Sequence, residues 1–329
     1  MIKINFEQVH HLGDTLKHLE MADDFNEFMT PKIKASREEQ LLSFFWPSVI
    51  CHSTKGGLKG RYDGKMYNGW DYLLRSFCAA AEHSPESISV AAMQNMDSKK
   101  LLGILSAFAT EDKITLTDLE RRAEMLAKCA GELTMLFNGS VSELLNRTDN
   151  KVGGNNGAYA LLETLSVFKD ELKKKSTAFL MTVHFSGLWT VKDPENVFPM
   201  IDYHRMRVFC RTGCIEIGDE NLVSDLIDKN LVAAEVESEL RSLSFDICKY
   251  LIDYTGIELF DFDALIWAHA RSCCRNKPVC VSKELEDDSF YDYLKKDFGG
   301  NCEYCGWCKG FKDERYRSIW EPAVVTENY

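Results

Sequence analysis

Six cysteines, Cys273, Cys274, Cys280, Cys302, Cys305 and Cys308, fall within 36 residues, whereas the other six are spread over the preceding 272. Closely spaced thiols in a chain of this kind point to thiolate ligation of a metal rather than to disulfides. Zinc needs four ligands in a closed tetrahedron, which a set such as Cys273, Cys280, Cys305 and Cys308 supplies; a four-iron cluster also needs four thiolates. A second candidate is Asp202, in FPMIDYHRMRVFCRTG. An acidic residue directly before a helix caps it, and the same carboxylate is suited to stabilising a developing positive charge and orienting water. Arg207 and Arg211 stand one turn apart on that helix, where they would hold a phosphate or pair with surface carboxylates. Phe45, Trp46, Trp70 and Tyr203 are candidate aromatic walls for a flat ligand, and His184, on an otherwise apolar helix, is a candidate proton donor.

These residues must be positioned by helices. Apolar residues recur at three- and four-residue spacing over 70–83, 114–136, 154–168, 174–190, 203–212, 220–232, 235–256 and 261–272. One β signal stands out, LKGRYDGKMYNG, in which Asp63-Gly64 between short alternating segments predicts a tight hairpin. The expected fold is therefore mainly α, a helical globule with one short β-hairpin and a cysteine-rich metal loop near the carboxyl end. Residues 1–270 form the helical domain, 271–312 the cysteine-rich loop and 313–329 a polar tail. The stretch Gly153-Gly154-Asn155-Asn156-Gly157 is the expected hinge between two lobes. The acidic run Glu284 to Asp288 reads as a solvated loop, and the lysines Lys173, Lys174 and Lys175 as a solvated helix face, with phosphate binding as the alternative.

Composition narrows the partners. The 329 residues carry 39 Lys and Arg against 51 Asp and Glu, a net charge of −12, which disfavours broad coating of DNA and favours a small-molecule substrate. No apolar run is long enough to span a bilayer, so no membrane partner is expected, and the amino terminus lacks the pattern of a signal peptide; a cytoplasmic location is the expectation.

ALIWAHARSCCRNKPVC resembles the helix end and first cluster ligands of the endonuclease III and adenine-glycosylase group, in which four cysteines hold a 4Fe-4S cluster; Lys277-Pro278 matches the basic-Pro segment between the first two. Beyond Cys280 the spacing differs. The resemblance implies Cys273, Cys280, Cys302 and Cys308 as ligands, with Cys305 or Cys274 as substitutes, and zinc as the alternative metal. The segment around Asp202 resembles the helix start that carries the catalytic aspartate of helix-hairpin-helix DNA glycosylases. No lysine matches the lyase nucleophile of the bifunctional enzymes, which implies simple hydrolysis, and the Gly-x-Gly hairpin that grips a DNA phosphate is absent.

Phe44-Phe45-Trp46, Arg61 to Tyr67, Gly69-Trp70, Ala79-Ala80 and Asp202-Tyr203 together resemble queuosine salvage proteins, which release a 7-deazaguanine base and share the glycosylase scaffold. In that family Arg follows Asp-Tyr, where this chain has His204. A Lys-Arg-Ala-Gln segment of the family is replaced by Phe179-Leu180-Met181-Thr182. The resemblance implies an N-glycosyl hydrolase acting on a queuosine-like nucleoside or nucleotide. The alternatives are an iron-sulfur base-excision DNA glycosylase and a noncatalytic module binding nucleic acid or protein.

Overall fold

Helical periodicity becomes helix along most of the chain: in the computed structural model 56% of the structure is helical and 6% is strand. The structure describes residues 1–54, 57–108, 110–297 and 299–328, the side chains of 110–113 excepted. It divides into two units, one of Met1–Asp23 with Pro199–Thr326, the other of Asp24–Phe198 with the carboxyl-terminal segment from Glu327.

In the first unit the strand Ile2–Ile4 pairs antiparallel with Ile215–Ile217, setting Lys3 opposite Glu216. Asn5 caps the helix Phe6–Leu16 by accepting the Gln8 N–H at 3.2 Å, and its amide donates to Glu216 at 2.8 Å. Lys309 donates to the same carboxylate at 2.6 Å, and these two hydrogen bonds hold the Glu216 carboxyl down to about 2. The helix Phe6–Leu16 lies against Ala234–Thr255 at Gly13, where a Cβ would stand 2.6 Å from the Tyr254 ring. The helices Tyr203–Thr212 and Leu259–Ser272 pack together and carry the residues of chemical interest.

In the second unit the helix Arg37–Val49 opens with a capping box between Ser36 and Glu39. It packs against Trp70–His83, Leu119–Phe137 and Lys174–Phe185 around a core that includes Phe44, Phe45, Trp46, Phe77, Leu133 and Phe179. The expected hairpin is present: Leu58–Tyr62 pairs with Lys65–Asn68, and Asp63 (φ 49°) and Gly64 (φ 76°) both take the positive φ of the two-residue turn that suits strand twist.

Several expectations need correction. Two small sheets exist rather than one hairpin, because Thr110–Ile114 adds a third strand beside Leu58–Tyr62 and the amino-terminal residues pair with Ile215–Ile217. The helix expected from 114 begins at Leu119, since residue 114 belongs to that strand and Asp118 enters left-handed at φ 59°. The helix expected over 154–168 contracts to Ala158–Leu162 plus a short turn at Ser166–Phe168, and that expected over 174–190 ends at Phe185, two residues before Gly187 at φ 73°. The Gly153–Gly157 stretch is no unit boundary. The Asp193 carboxylate accepts the N–H groups of Val152 (2.7 Å) and Gly153 (3.0 Å), so the glycines form a tied turn. The unit boundaries fall instead beside Asp23 and Phe198. In the acidic run, Asp288 is buried on Arg275 at 2.6 Å, and the tail contains a helical turn at Glu314–Ser318.

The close approach at Gly13 predicts that Gly13→Val lowers stability by about 1–3 kcal/mol through overpacking. Gly131, whose Cβ would meet nothing within 4 Å on the Leu119–Phe137 helix, is the control, and Gly131→Ala should be neutral or stabilising by up to about 1 kcal/mol. Chemical denaturation of both variants checks this; equal midpoints for Gly13→Val and the parent would remove the inferred contact.

Candidate functional site

Asp202 is the N-cap of Tyr203–Thr212, with extended backbone and its Oδ1 accepting the Arg205 N–H at 3.1 Å. The cap accounts for one carboxylate oxygen. Oδ2 accepts no hydrogen bond from any described residue, although the side chain is only 8% exposed. Tyr203 follows, half-buried, its phenol pushed up first by burial and then by the Asp202 charge. The carboxylate stands next to a fully buried ion pair: Arg205 Nη2 donates to Asp263 Oδ1 at 2.5 Å and to the Asp263 carbonyl at 3.1 Å, while the Met200 N–H donates to Asp263 Oδ2 at 3.1 Å. Burial pushes the Asp263 carboxyl up to about 6, against the pull of Arg205. Sequence reading missed this pair. Its signal is the second aspartate of LFDFDALIWA, flanked by Phe262 and Ala264 and followed by an apolar run, where an unpaired charge would be costly.

Arg207, expected to hold a phosphate, is a structural residue. Its Nε donates to the Cys274 carbonyl at 2.7 Å, Nη1 pairs with Glu321, and Nη2 donates to His204 Nδ1 at 2.9 Å, so every nitrogen of the guanidinium is already engaged inside the protein. Arg211 is used in the same way, donating to the carbonyls of Ile319 and Arg275, each at 2.7 Å. Both guanidiniums stack on Trp320, at 4.8 and 5.1 Å from its centroid.

These arginines hold the cysteine-rich segment against the helix. Cys273 caps the end of Leu259–Ser272 and is buried; Cys274, Cys280, Cys302, Cys305 and Cys308 are half-buried, and all six are free thiols. They share one neighbourhood. After burial, the nearness of Cys274, Cys305 and Cys280 raises the Cys273 thiol, that of Cys274 and Cys280 raises Cys308 to about 12, and a hydrogen bond from Cys302 holds Cys305 down to about 7. Among the described residues no three His, Cys, Asp or Glu side chains already form a coordination cage. The residue types are those a thiophilic metal takes, with soft sulfur at both ends of the segment and orphaned buried polar atoms beside it. The His269 ring, stacked on Tyr304 at 3.8 Å, has both nitrogens buried without a partner among the described residues, and so has Tyr304 Oη.

The remaining candidates belong to the second unit. Phe45 and Trp46 are wholly buried, Phe45 against Phe168 and Phe179, and Trp46 donating its indole N–H to the Ile88 carbonyl at 2.9 Å. They are core residues and present no face on which a base could stack. Trp70, at the first position of Trp70–His83, and His184, in the last turn of Lys174–Phe185, are half-buried and stay accessible in part.

No protein-family model matches the chain, and comparison with curated proteins gives no match.

The Arg205–Asp263 pair yields a direct expectation. Arg205→Met leaves a carboxylate buried without its cation and should cost about 3–5 kcal/mol, whereas adding Asp263→Leu should recover much of the loss. Denaturant midpoints of the two variants check it; a single variant as stable as the parent would show that the pair does not hold the Asp202 helix in place.

Proposed function

We propose that this chain is an N-glycosyl hydrolase that releases the base from a 7-deazaguanine nucleoside or nucleotide similar to queuosine. The reading rests on one observation: Asp202 divides its carboxylate, Oδ1 securing the helix start and Oδ2 left without a hydrogen-bond partner among the described residues. The cap fixes the side-chain torsions, so the second oxygen is held in place without depending on the ligand for its position. As the bond between base and ribose stretches, positive charge gathers on the sugar, and a fixed anion beside it lowers that barrier. Asp202 then accepts a proton from the water that adds to the anomeric carbon, while the bond electrons leave on the base nitrogen, which takes a proton from solvent. Tyr203, adjacent to the carboxylate, is the aromatic surface nearest the reacting groups in sequence. The net charge of −12 supports a small substrate over duplex DNA.

Cys273, Cys280, Cys302 and Cys308, with Cys305 or Cys274 as substitutes, would hold a 4Fe-4S cluster, or zinc as the alternative. Such a group supplies thiolate bonds that clamp the segment onto the end of Leu259–Ser272. Its role is structural.

Asp202→Asn keeps a competent N-cap, since Asn and Asp cap about equally, but removes the negative charge. Turnover should fall by about 10³-fold or more with the melting temperature close to that of the parent. Release of free base from a panel of modified nucleosides, nucleotides and damaged duplex DNA is the assay. Base release from DNA alone would replace the small-molecule substrate, and an unchanged rate in Asp202→Asn would remove the aspartate from the chemistry.

Metal analysis of anaerobically purified protein should give about four irons per chain, or about one zinc if the alternative holds. Cys273→Ser with Cys280→Ser should abolish it. Protein that folds with neither metal would overturn the assignment.

A further inference from the structure

Helix first turns favour carboxylates, because the unbonded N–H groups there carry partial positive charge. The helix Lys174–Phe185 breaks this rule, with Lys173 at the N-cap in left-handed geometry (φ 56°) and Lys174 and Lys175 as its first two residues. Lys173 pairs with Glu163. Lys175 turns inward: it is 2% exposed, and Nζ donates to the Val49 carbonyl at 2.9 Å, at the end of Arg37–Val49. Arg122, 1% exposed, donates to the next carbonyl, Ile50, at 2.5 Å. Lys174 Nζ lies 3.2 Å from Cys51 Sγ. Two helix ends of opposite polarity therefore share these cations.

The cluster gathers buried cations around a small number of carboxylates. Arg122, Lys174 and Lys175 face the carboxylate of Asp118, which takes Arg122 Nε at 3.1 Å and lies 3.4 Å from His52 Nε2, while the buried Asp170 carboxylate accepts the Lys174 N–H at 3.0 Å. Burial, then Arg122 and Lys175, push the His52 ring down to about 4, and burial holds Lys175 down to about 8. Two polar atoms stay unpaired at the same place. His52, 2% exposed, has Nδ1 without a partner among the described residues, and so has the wholly buried hydroxyl of Ser176, the third residue of the lysine-led helix. A further anion is Glu327, whose carboxylate pairs with Arg121 at 2.6 Å and is held below the usual range by Arg121 and then by His52 and Lys175. It is half-exposed and belongs to the carboxyl-terminal segment, so it can leave without disturbing a helix.

We propose that Arg122, Lys174, Lys175 and His52 form a binding site for a phosphate-class oxyanion, and that Glu327 is a tethered carboxylate competing for it. Such a ligand offers several acceptor oxygens to cationic donors and to the N–H groups that follow Lys174, whose own N–H the Asp170 carboxylate takes at 3.0 Å, in the first turn of a twelve-residue helix, the chemistry that phosphates select. The site lies wholly within the second unit and does not depend on Asp202 being catalytic.

Calorimetric titration of the full chain with inorganic phosphate, and separately with a nucleoside monophosphate and its parent nucleoside, tests the proposal without any turnover assay. Phosphate should bind, and Glu327→Gln should tighten it about fivefold or more by removing the competitor. Lys175→Met should abolish binding in both backgrounds; Lys174→Met, a half-buried position that tolerates substitution better, should weaken it about tenfold and covers the case in which Lys175→Met fails to fold. A nucleoside monophosphate binding more tightly than phosphate, with the nucleoside inert, marks the ligand as a nucleotide; equal binding marks it as free phosphate. Phosphate affinity unaffected by Lys174→Met, or by Glu327→Gln, would overturn the proposal.

Discussion

Three guanidinium groups on one ten-residue helix organise the first unit. Arg205, Arg207 and Arg211 all lie on Tyr203–Thr212, and all are buried. Isolated, each would be prohibitive to bury. Each is instead placed against acceptors that need a donor. Arg205 takes Asp263, Arg207 takes the Cys274 carbonyl and Glu321, and Arg211 takes the carbonyls of Ile319 and Arg275. Irregular segments, whose backbone carbonyls have no ladder to join, thereby acquire partners from a rigid rod. The helix start must then be equally fixed, and Asp202 fixes it.

That arrangement explains which parts of the sequence were readable. The boundaries of Tyr203–Thr212 and Trp70–His83 follow from local chemistry alone, from an Asp cap and a terminal Gly213 at φ 82° in one case and a Gly69-Trp70 start in the other. The hairpin at Asp63-Gly64 is equally local. What escaped was non-local. The strand Thr110–Ile114 takes its form from pairing with Leu58–Tyr62, and Ile2–Ile4 from pairing with residues more than two hundred positions away. The glycines at 153–157 suggest freedom only until Asp193, forty residues on, is known to bind their backbone.

Side-chain roles divide along the same line. Asp202 was legible as a cap because its partner is three residues away. Arg207 was misread because residue type does not distinguish a guanidinium waiting for a ligand from one already holding a carbonyl sixty-seven residues distant. Phe45 and Trp46 show the same ambiguity for aromatics, since an aromatic suited to stacking on a base packs equally well on Phe168 and Phe179. The lysines 173–175 were read as solvated because three consecutive charges usually are; Lys175 departs from this because its stem crosses to the end of another helix.

Comparison of the two buried cationic groups separates structural charge from charge available to a ligand. In the first unit Arg205 has its carboxylate, with Nε alone lacking a partner among the described residues, and Arg207 and Arg211 have carbonyls and an aromatic face. In the second unit Lys175 and Arg122 also serve helix carbonyls, but those carbonyls are only partial charges, and Asp118 is shared between Arg122 and His52. Burial first, and the neighbouring cations after it, hold the histidine neutral and pull the lysine towards neutrality. A protein that needed these cations only to close the end of Arg37–Val49 would be served as well by neutral donors, which carry no desolvation penalty of this size. The burial of these cations is therefore the feature that fold stability alone does not explain.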